Sequence, residues 1–396
     1  MKKTLSTTIL ILLINYMFGQ TYVVDSIYHQ NQYRYYGTYK PASYTGTTPW
    51  PVVLTLHGGG GNALGTIGFT QMSLVADTAN FLVVYPQGSK IGSNCCSWGA
   101  GVGSPSDTAG INDISFFNKL IDSLKTEFNI DTNRIYSTGL SQGGFMSQKL
   151  ACQLSHRIAA IAPLCSNLDS LQMLTCNPSR SVPVLIINGT TDILVPYNGA
   201  KFTNNGWPLT YFPVDTLMKF WNTKNGCNPT SSSFNFPDID PTESSTITRY
   251  TWTGCSCNTE TILYKVNGGG HTWPGVENVS YEIIAGQTNE DIHASVHIWQ
   301  FFKKHSLLCP TTTSISEGQQ LINSIRVYPN PAKNIITIES SNQKIYLTNL
   351  DIYNSLGQKM LNAQFKDNVL TIDITYFPSG LYFITTDNVK MKFIKD

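Results

Sequence analysis

The sequence predicts an α/β domain, a mostly parallel doubly wound sheet, followed by a small all-β sandwich. Three observations carry this. Short apolar runs rich in β-branched residues recur up to about residue 270, several ending in glycine at a loop. Stretches with helical apolar spacing lie between them. Beyond Gln320 the texture changes to alternation of apolar and polar residues. Continuous apolar runs suit strands buried on both faces, strand–helix alternation gives parallel order, and period two marks antiparallel strands with one wet face.

The elements follow in order. Residues 1–19 hold Lys2 and Lys3, an apolar run from Ile9 to Leu13 and the small Gly19. That is the pattern of a signal peptide, too short for a spanning helix. No cysteine lies directly after the apolar run, so no lipid anchor is expected, and no later stretch is long and apolar enough to span a bilayer. TYVVDSIYH and QYRYYGTYKP read as an opening antiparallel pair. Buried strands are expected at 51–58, 81–88, 134–139, 158–166, 182–189 and 261–270. A helix over 111–128 places Ile111, Ile114, Phe117, Leu120, Ile121 and Leu124 on one stripe, with further helices at 145–154 and 293–305. The α/β domain is thus expected over 20–308. A polar linker covers 309–324, and IITIES, IYLTNLDIYN, VLTIDIT and GLYFITT build the sandwich over 325–396.

Of the 396 residues only 13% are charged and the net charge is +1, so there is no electrostatic footprint for nucleic acid or an anionic membrane. All nine cysteines follow the leader. In an exported chain they read as disulfides, with Cys227 to Cys255 or Cys257 the first pairing to consider. An odd count leaves at least one thiol free or paired between chains. Cys255 and Cys257 have CxC spacing and no CxxC recurs, a poor signal for zinc; no metal or other cofactor is expected.

The sharpest motif is GLSQGG, Gly139 to Gly144. A strand-like RIYST runs into GxSxG and then into an apolar helix, the setting that a nucleophile elbow requires. Ser141 is therefore the candidate nucleophile. Among seven histidines, His271 alone lies in a Gly-rich loop just after a late strand, downstream of the serine. That is the order in which this class places its base. His57 follows a buried strand and is expected to support a loop. His293 and His297 have i,i+4 spacing, but Ala-Ser-Val between them lacks the glutamate of the zinc motif. Asp192 leaves a buried strand between Ser141 and His271, where an acid could orient the base; Asp215, Asp238, Asp240 and Glu243 do not directly follow such a strand. The oxyanion of acyl transfer needs two N–H donors. Gln142, next to the serine, and Gly59, in the glycine run after His57, are the candidates, with Gly60 the neighbour in reserve. Trp273 is expected either to contact substrate or to pack. Residues 89–107 and 201–260 are expected to form the substrate pocket.

Taken together, HGGGGN, GLSQGG, NGTTDILVPY, NGC and GGGHTWPG resemble, in this order, the secreted polyhydroxybutyrate depolymerase and feruloyl/acetyl-xylan esterase family, over nearly all of 21–308. The resemblance implies an α/β-hydrolase fold without metal, with Ser141, Asp192 and His271 as catalytic triad and Trp273 as a substrate contact. Depolymerase-like members often carry cysteine where this chain has Gly59, and the adjacent Cys95 and Cys96 do not map onto the family pattern. The substrate stays open between feruloyl or acetyl polysaccharide esters and hydroxyalkanoate polyesters. VYPNPAKNIITI, LDIYNSLGQKM and FPSGLYFI resemble the C-terminal sorting domain of type IX secretion, which implies that secretion machinery as a partner and a secreted or cell-surface destination. A serine peptidase of the same fold and a non-catalytic secreted binding protein are the alternative readings, and for the tail a small carbohydrate-binding sandwich.

Overall fold

The computed structural model describes residues 21–91, 94–101, 104–204, 207–309, 325–340, 348–354, 358–365, 369–385 and 390–396. The expected signal peptide and most of the expected linker lie outside these residues. The chain divides into two units, with the boundary after Pro310.

In the first unit the strands are β1 (Thr21–His29), β2 (Gln32–Lys40), β3 (Trp50–Leu56), β4 (Leu82–Pro86), the hairpin β5 (Ser89–Ile91) and β6 (Asn94–Ser97), β7 (Ile130–Leu140), β8 (Ala160–Leu164) and β9 (Val184–Gly189). A second hairpin, β10 (Ala200–Asn204) and β11 (Trp207–Tyr211), precedes β12 (Ser232–Asn235), β13 (Thr246–Trp252) and β14 (Thr261–Asn267). The helices are α1 (Ala63–Thr70), α2 (Met72–Ala79), α3 (Pro105–Thr108), α4 (Asp113–Glu127), α5 (Gln142–Gln153), α6 (Ser170–Thr175), α7 (Val214–Asn225), α8 (Val279–Ala285) and α9 (Ala294–Phe302).

Ten strands form one sheet in the order β1-β2-β4-β3-β7-β8-β9-β14-β13-β12. The six from β4 to β14 run parallel, and antiparallel pairs close both edges. Alternate side chains feed two cores. Val52, Leu54 and Leu56 of β3 pack with residues of α4, α5 and α7, whereas Val53 faces α2 and α9. Burial on both faces is why these strands read as unbroken apolar runs. It also brings the carboxyl ends of β3, β7, β8, β9 and β14, neighbours in the sheet, to one edge.

The three expected helices differ from their sequence reading, the last by ending at Phe302 and not at 305. The first starts at Asp113, because the Asn112 side chain caps it by accepting from the Ser115 N–H. Ile111 therefore precedes the helix, and Phe116 joins the buried face. The second starts at Gln142, directly after the candidate nucleophile.

The second unit contains β15 (Ile325–Tyr328), β16 (Ile335–Ser340), β17 (Thr348–Asn354), β18 (Lys359–Phe365), β19 (Val369–Asp373), β20 (Gly380–Thr385) and β21 (Lys390–Lys395). They form antiparallel sheets of order β15-β16-β19 and β18-β17-β20-β21. Ile336, Ile338 and Ile372 from one sheet share a core with Leu350, Ile352, Tyr382, Ile384 and Phe393 from the other. That is the all-β sandwich expected from the alternation.

Disulfides join Cys152 to Cys176, Cys227 to Cys255 and Cys257 to Cys309; Cys96 is also disulfide-bonded, and Cys165 is a buried free thiol. Cys309, which the sequence assigns to the linker, is thereby tied into the first unit. The Cys257–Cys309 bridge closes a separation of 52 residues. Cys257→Ser in the full chain should lower the unfolding free energy of the first unit by about 2–4 kcal/mol, read as a shift of the urea midpoint.

Candidate active site

Ser141 sits in the turn between β7 and α5 with φ 56° and ψ −124°, a backbone region costly for any residue but glycine. Its surroundings hold it there. A Cβ on Gly139 would come within 2.6 Å of the Leu56 carbonyl oxygen, and one on Gly143 would run into the same carbonyl. The strand–turn–helix can therefore lie against β3 only with glycine at both positions. The Ser141 N–H donates to the Leu164 carbonyl at 2.9 Å, fixing the turn to the end of β8.

Asp192 and His271 meet at the ends of β9 and β14. His271 Nδ1 lies 2.7 Å from Asp192 Oδ2, and both side chains are 1% exposed. The other carboxylate oxygen, Oδ1, accepts the N–H groups of Leu194 and Val195, each at 2.8 Å. With Oδ1 so occupied, Oδ2 is the oxygen offered to the imidazole. The two loops are laced together: Thr191 N–H donates to the Gly269 carbonyl at 3.0 Å, and its hydroxyl reaches the Gly268 and Gly269 carbonyls at 2.8 Å. Beyond them, the Gly270 and His271 N–H groups donate to Gln287 and Ala285 at 2.8 and 2.6 Å, anchoring the histidine loop to the end of α8.

Cys165 follows β8, between the strands that carry Ser141 and Asp192. Its Sγ lies 3.4 Å from the Thr272 carbonyl and 3.8 Å from that of Gly270, the two residues flanking His271. Burial, and then the Asp192 charge, push its thiol well above the ordinary value, so it is held protonated. The cysteine's place beside the acid–base pair was not read from sequence. Its position at the end of the APLC run, between two candidate strands, was the available signal.

The loop after β3 is braced by His57, which is 3% exposed. The Gly88 N–H donates to Nε2 at 2.9 Å, so Nε2 must accept and the proton sits on Nδ1, which donates to the Gly58 carbonyl at 2.7 Å. In a trans peptide the carbonyl and the following N–H point opposite ways. His57 thus grips one side of the Gly58–Gly59 peptide and turns the Gly59 N–H away from itself. A Cβ on Gly58 would lie 3.5 Å from Ser141 Cβ, and one on Gly59 3.6 Å from the Gln142 side-chain oxygen, so this peptide lies against the serine turn. Gln142 is itself tethered: its Oε1 accepts from Trp98 N–H at 3.2 Å and its Nε2 donates to Ser97 Oγ at 3.0 Å.

A cavity of about 260 Å³ opens beside this edge, lined by Leu56, Gly58, Gly59, Phe69, Leu140 and Tyr281 among others. Most of its lining comes from 56–70 and α8, not from the two segments expected to shape it. Residues 89–107 contribute instead through the Ser97 and Trp98 bonds to Gln142. Trp273 corrects another expectation. It is 0% exposed, its indole N–H donates to Ser295 at 3.1 Å, and the Ala294 N–H holds the Pro274 carbonyl at 2.9 Å. The TWPG segment is thereby pulled onto the start of α9, and Trp273 packs in the core with no surface for a ligand. His297 bonds Tyr264 through Nδ1 and His293 bonds Gln71 through Nε2, so both serve packing.

A parallel sheet closed by antiparallel pairs, a strained serine at a strand–helix turn and a carboxylate–imidazole pair at neighbouring strand ends define the α/β-hydrolase fold. Residues 35–200 match the family model described as esterase PHB depolymerase, and residues 326–396 match the secretion system C-terminal sorting domain; the chain carries both domains. The sorting domain marks it for secretion or the cell surface. The chain is 29% identical over 56% of its length to a bifunctional acetylxylan esterase/xylanase of Neocallimastix patriciarum, covering 29% of that protein. It is also 29% identical over 58% of its length to feruloyl esterase B of Piromyces equi, covering 41% of that protein. The chain thus spans less than half the length of these two relatives. Among solved structures, an acetyl xylan esterase from Aspergillus awamori is similar at 14% identity and a TM-score of 0.44, over 71% of this chain and 99% of that one. Among the described residues no helix is long and apolar enough to cross a membrane.

Burial lowers the His57 pKa from 6.5 to about 4. The unfolded chain therefore takes up this proton first. The stabilisation is full above the unfolded value and is lost as pH falls through the folded one, a change of about 3 kcal/mol between pH 7 and 4. Urea unfolding over that range should show the decline, and His57→Asn should flatten it.

Proposed function

We propose that the chain is a secreted serine carboxylic-ester hydrolase. The observation that carries this reading is the buried Asp192–His271 pair, its second carboxylate oxygen already saturated by backbone, at the same sheet edge as the strained Ser141. In the proposed reaction Ser141 Oγ attacks the ester carbonyl and His271 Nε2 takes its proton. Asp192 holds the imidazole with hydrogen on Nδ1, leaving the Nε2 lone pair free, and stabilises the imidazolium. The Gly59 and Gln142 N–H groups receive the oxyanion, Gly59 because His57 turns its peptide, and Gln142 because it starts α5, where helix N–H groups have no partner within the helix. His271 returns the proton to the leaving alcohol, and water then repeats the sequence on the acyl-enzyme.

We further propose that the ester lies on a polysaccharide, as an acetyl or feruloyl group, or within a hydroxyalkanoate polyester. The names of the matched family and relatives support both. The cavity wall supports an apolar acyl or alcohol part: Phe69 and Tyr281 meet edge to face at 5.3 Å. Exposed Ile193 and Leu194 next to Asp192, and Ile283 and Ile284 on α8, add apolar surface. The sorting domain's partner is proposed to be the type IX secretion machinery.

Methyl ferulate, acetylated xylan, a hydroxybutyrate oligomer and p-nitrophenyl acetate should be offered to the full chain and to its Ser141→Ala variant. Turnover lost by roughly 10³-fold or more in the variant is expected, and the preferred member names the substrate class. Equal activity of the two proteins would remove the serine mechanism. Asp192→Asn should lower kcat by roughly 10⁴-fold through the wrong tautomer. His57→Leu should lower kcat by roughly tenfold to a hundredfold with little change in KM, since only the oxyanion donor is misplaced. His57→Asn, whose amide can still donate toward the Gly58 carbonyl, should recover part of that loss.

A further inference from the structure

The Cys165 thiol takes no part in the reaction proposed above, yet it is packed against both members of the acid–base pair. Its Sγ, a carboxylate oxygen of Asp192 and a ring nitrogen of His271 all lie within 4.8 Å of one another, and all three residues are buried. The thiol cannot drift: Cys165 has φ 46°, its N–H donates to the Ile187 carbonyl at 3.0 Å, and its sulfur faces the carbonyls on either side of His271.

We propose that this triangle is an inhibitory binding site for a thiophilic divalent cation such as Zn²⁺ or Cd²⁺, held by Cys165 Sγ, Asp192 Oδ2 and His271 Nδ1. Thiolate, imidazole and carboxylate form a donor set that suits these ions. Ligand atoms in a tetrahedral zinc site lie about 3.4–3.6 Å apart, so the 2.7 Å His271–Asp192 contact opens by roughly 0.7 Å and the widest separation closes by roughly 1 Å. Water takes the fourth position. Tyr281, which lines the 260 Å³ cavity, stands on α8, whose last residue, Ala285, accepts the His271 N–H, so one helix borders both the cavity and the histidine loop.

The proton balance explains why the ion inhibits. Binding takes the Nδ1 lone pair, so the hydrogen that Nδ1 shares with Asp192 moves to Nε2. The thiol releases its proton to solvent as the S–metal bond forms, and nothing is oxidised or reduced. With hydrogen on Nε2, His271 cannot accept a proton from Ser141. The inhibition rests on the esterase reading; the binding does not.

The test uses the full chain with Cd²⁺ as probe, followed by equilibrium dialysis and by the ultraviolet thiolate-to-cadmium charge-transfer band. Hydrolysis of p-nitrophenyl acetate is measured in parallel. One Cd²⁺ per chain is expected, with the band, release of one proton and a loss of hydrolysis that follows occupancy and is reversed by EDTA. Cys165→Ser and Cys165→Ala should each lose the band and need at least about tenfold more Cd²⁺ for half-inhibition, relative to their own metal-free rates. Two variants guard against one that fails to fold. Inhibition equal in wild type and variants, or no Cys165-dependent band at saturating Cd²⁺, overturns the site. A chain that shows the band but hydrolyses no ester keeps the site and overturns the esterase reading instead.

Discussion

The hydrogen bond from His271 to Asp192 is the constraint around which this edge of the sheet is organised. A carboxylate 1% exposed is costly unless its oxygens are bonded. Here two backbone N–H groups of the carboxylate's own loop and the imidazole from another loop supply the bonds. The residues around the pair are arranged to keep that partner present. Thr191 ties its loop to Gly268 and Gly269, and a side chain on Gly189 would run into the Gly269 and Gly270 carbonyls. β9 and β14 are parallel neighbours in register, Leu263 opposite Ile186, so their loops emerge together. Loosening any of these contacts would weaken the pairing of a buried charge, which couples the candidate chemistry to the stability of the sheet.

The serine turn depends on the same sheet differently. Its positive φ is a local cost that only close packing of β3, β7 and α5 can sustain. Glycines at 139 and 143 let the Leu56 carbonyl approach where side chains would stand. Leu56 ends β3, and the His57–Gly59 loop starts there, so the packing that strains Ser141 also carries the Gly59 peptide to it. Nucleophile and candidate oxyanion donor are positioned by one close approach.

Much of this was legible in the sequence, for identifiable reasons. Buried parallel strands leave continuous apolar runs, so the six central strands could be located. GxSxG between a strand and a helix has few structural uses, so Ser141 stood out. Chain order and strand-end placement pointed to Asp192 and His271, and the structure brings those two into contact. Contacts between distant segments were not legible. Trp273 follows His271 so closely that it suggested a ligand wall, but the Ala294 N–H and the Ser295 hydroxyl, some twenty residues away, draw it inward. Phe69 and Tyr281 have no motif and line the cavity only because α1 and α8 converge. Cys309 looked like linker because its partner, Cys257, is distant in sequence.

His57 and His271 show how two buried imidazoles acquire opposite uses. Each has Nδ1 against an oxygen acceptor, the Gly58 carbonyl in one case and the Asp192 carboxylate in the other. The difference lies at Nε2. For His57 the Gly88 N–H already occupies it, so neither nitrogen is available and the ring acts as a strut. Burial, and then the Arg34 charge, hold that ring neutral, which suits a strut, because a proton on Nε2 would displace the Gly88 donor. His271 has a carboxylate rather than a carbonyl behind it, and a carboxylate can stabilise the positive charge that the proposed reaction places on the ring. The acceptor behind Nδ1 therefore separates the brace from the candidate base.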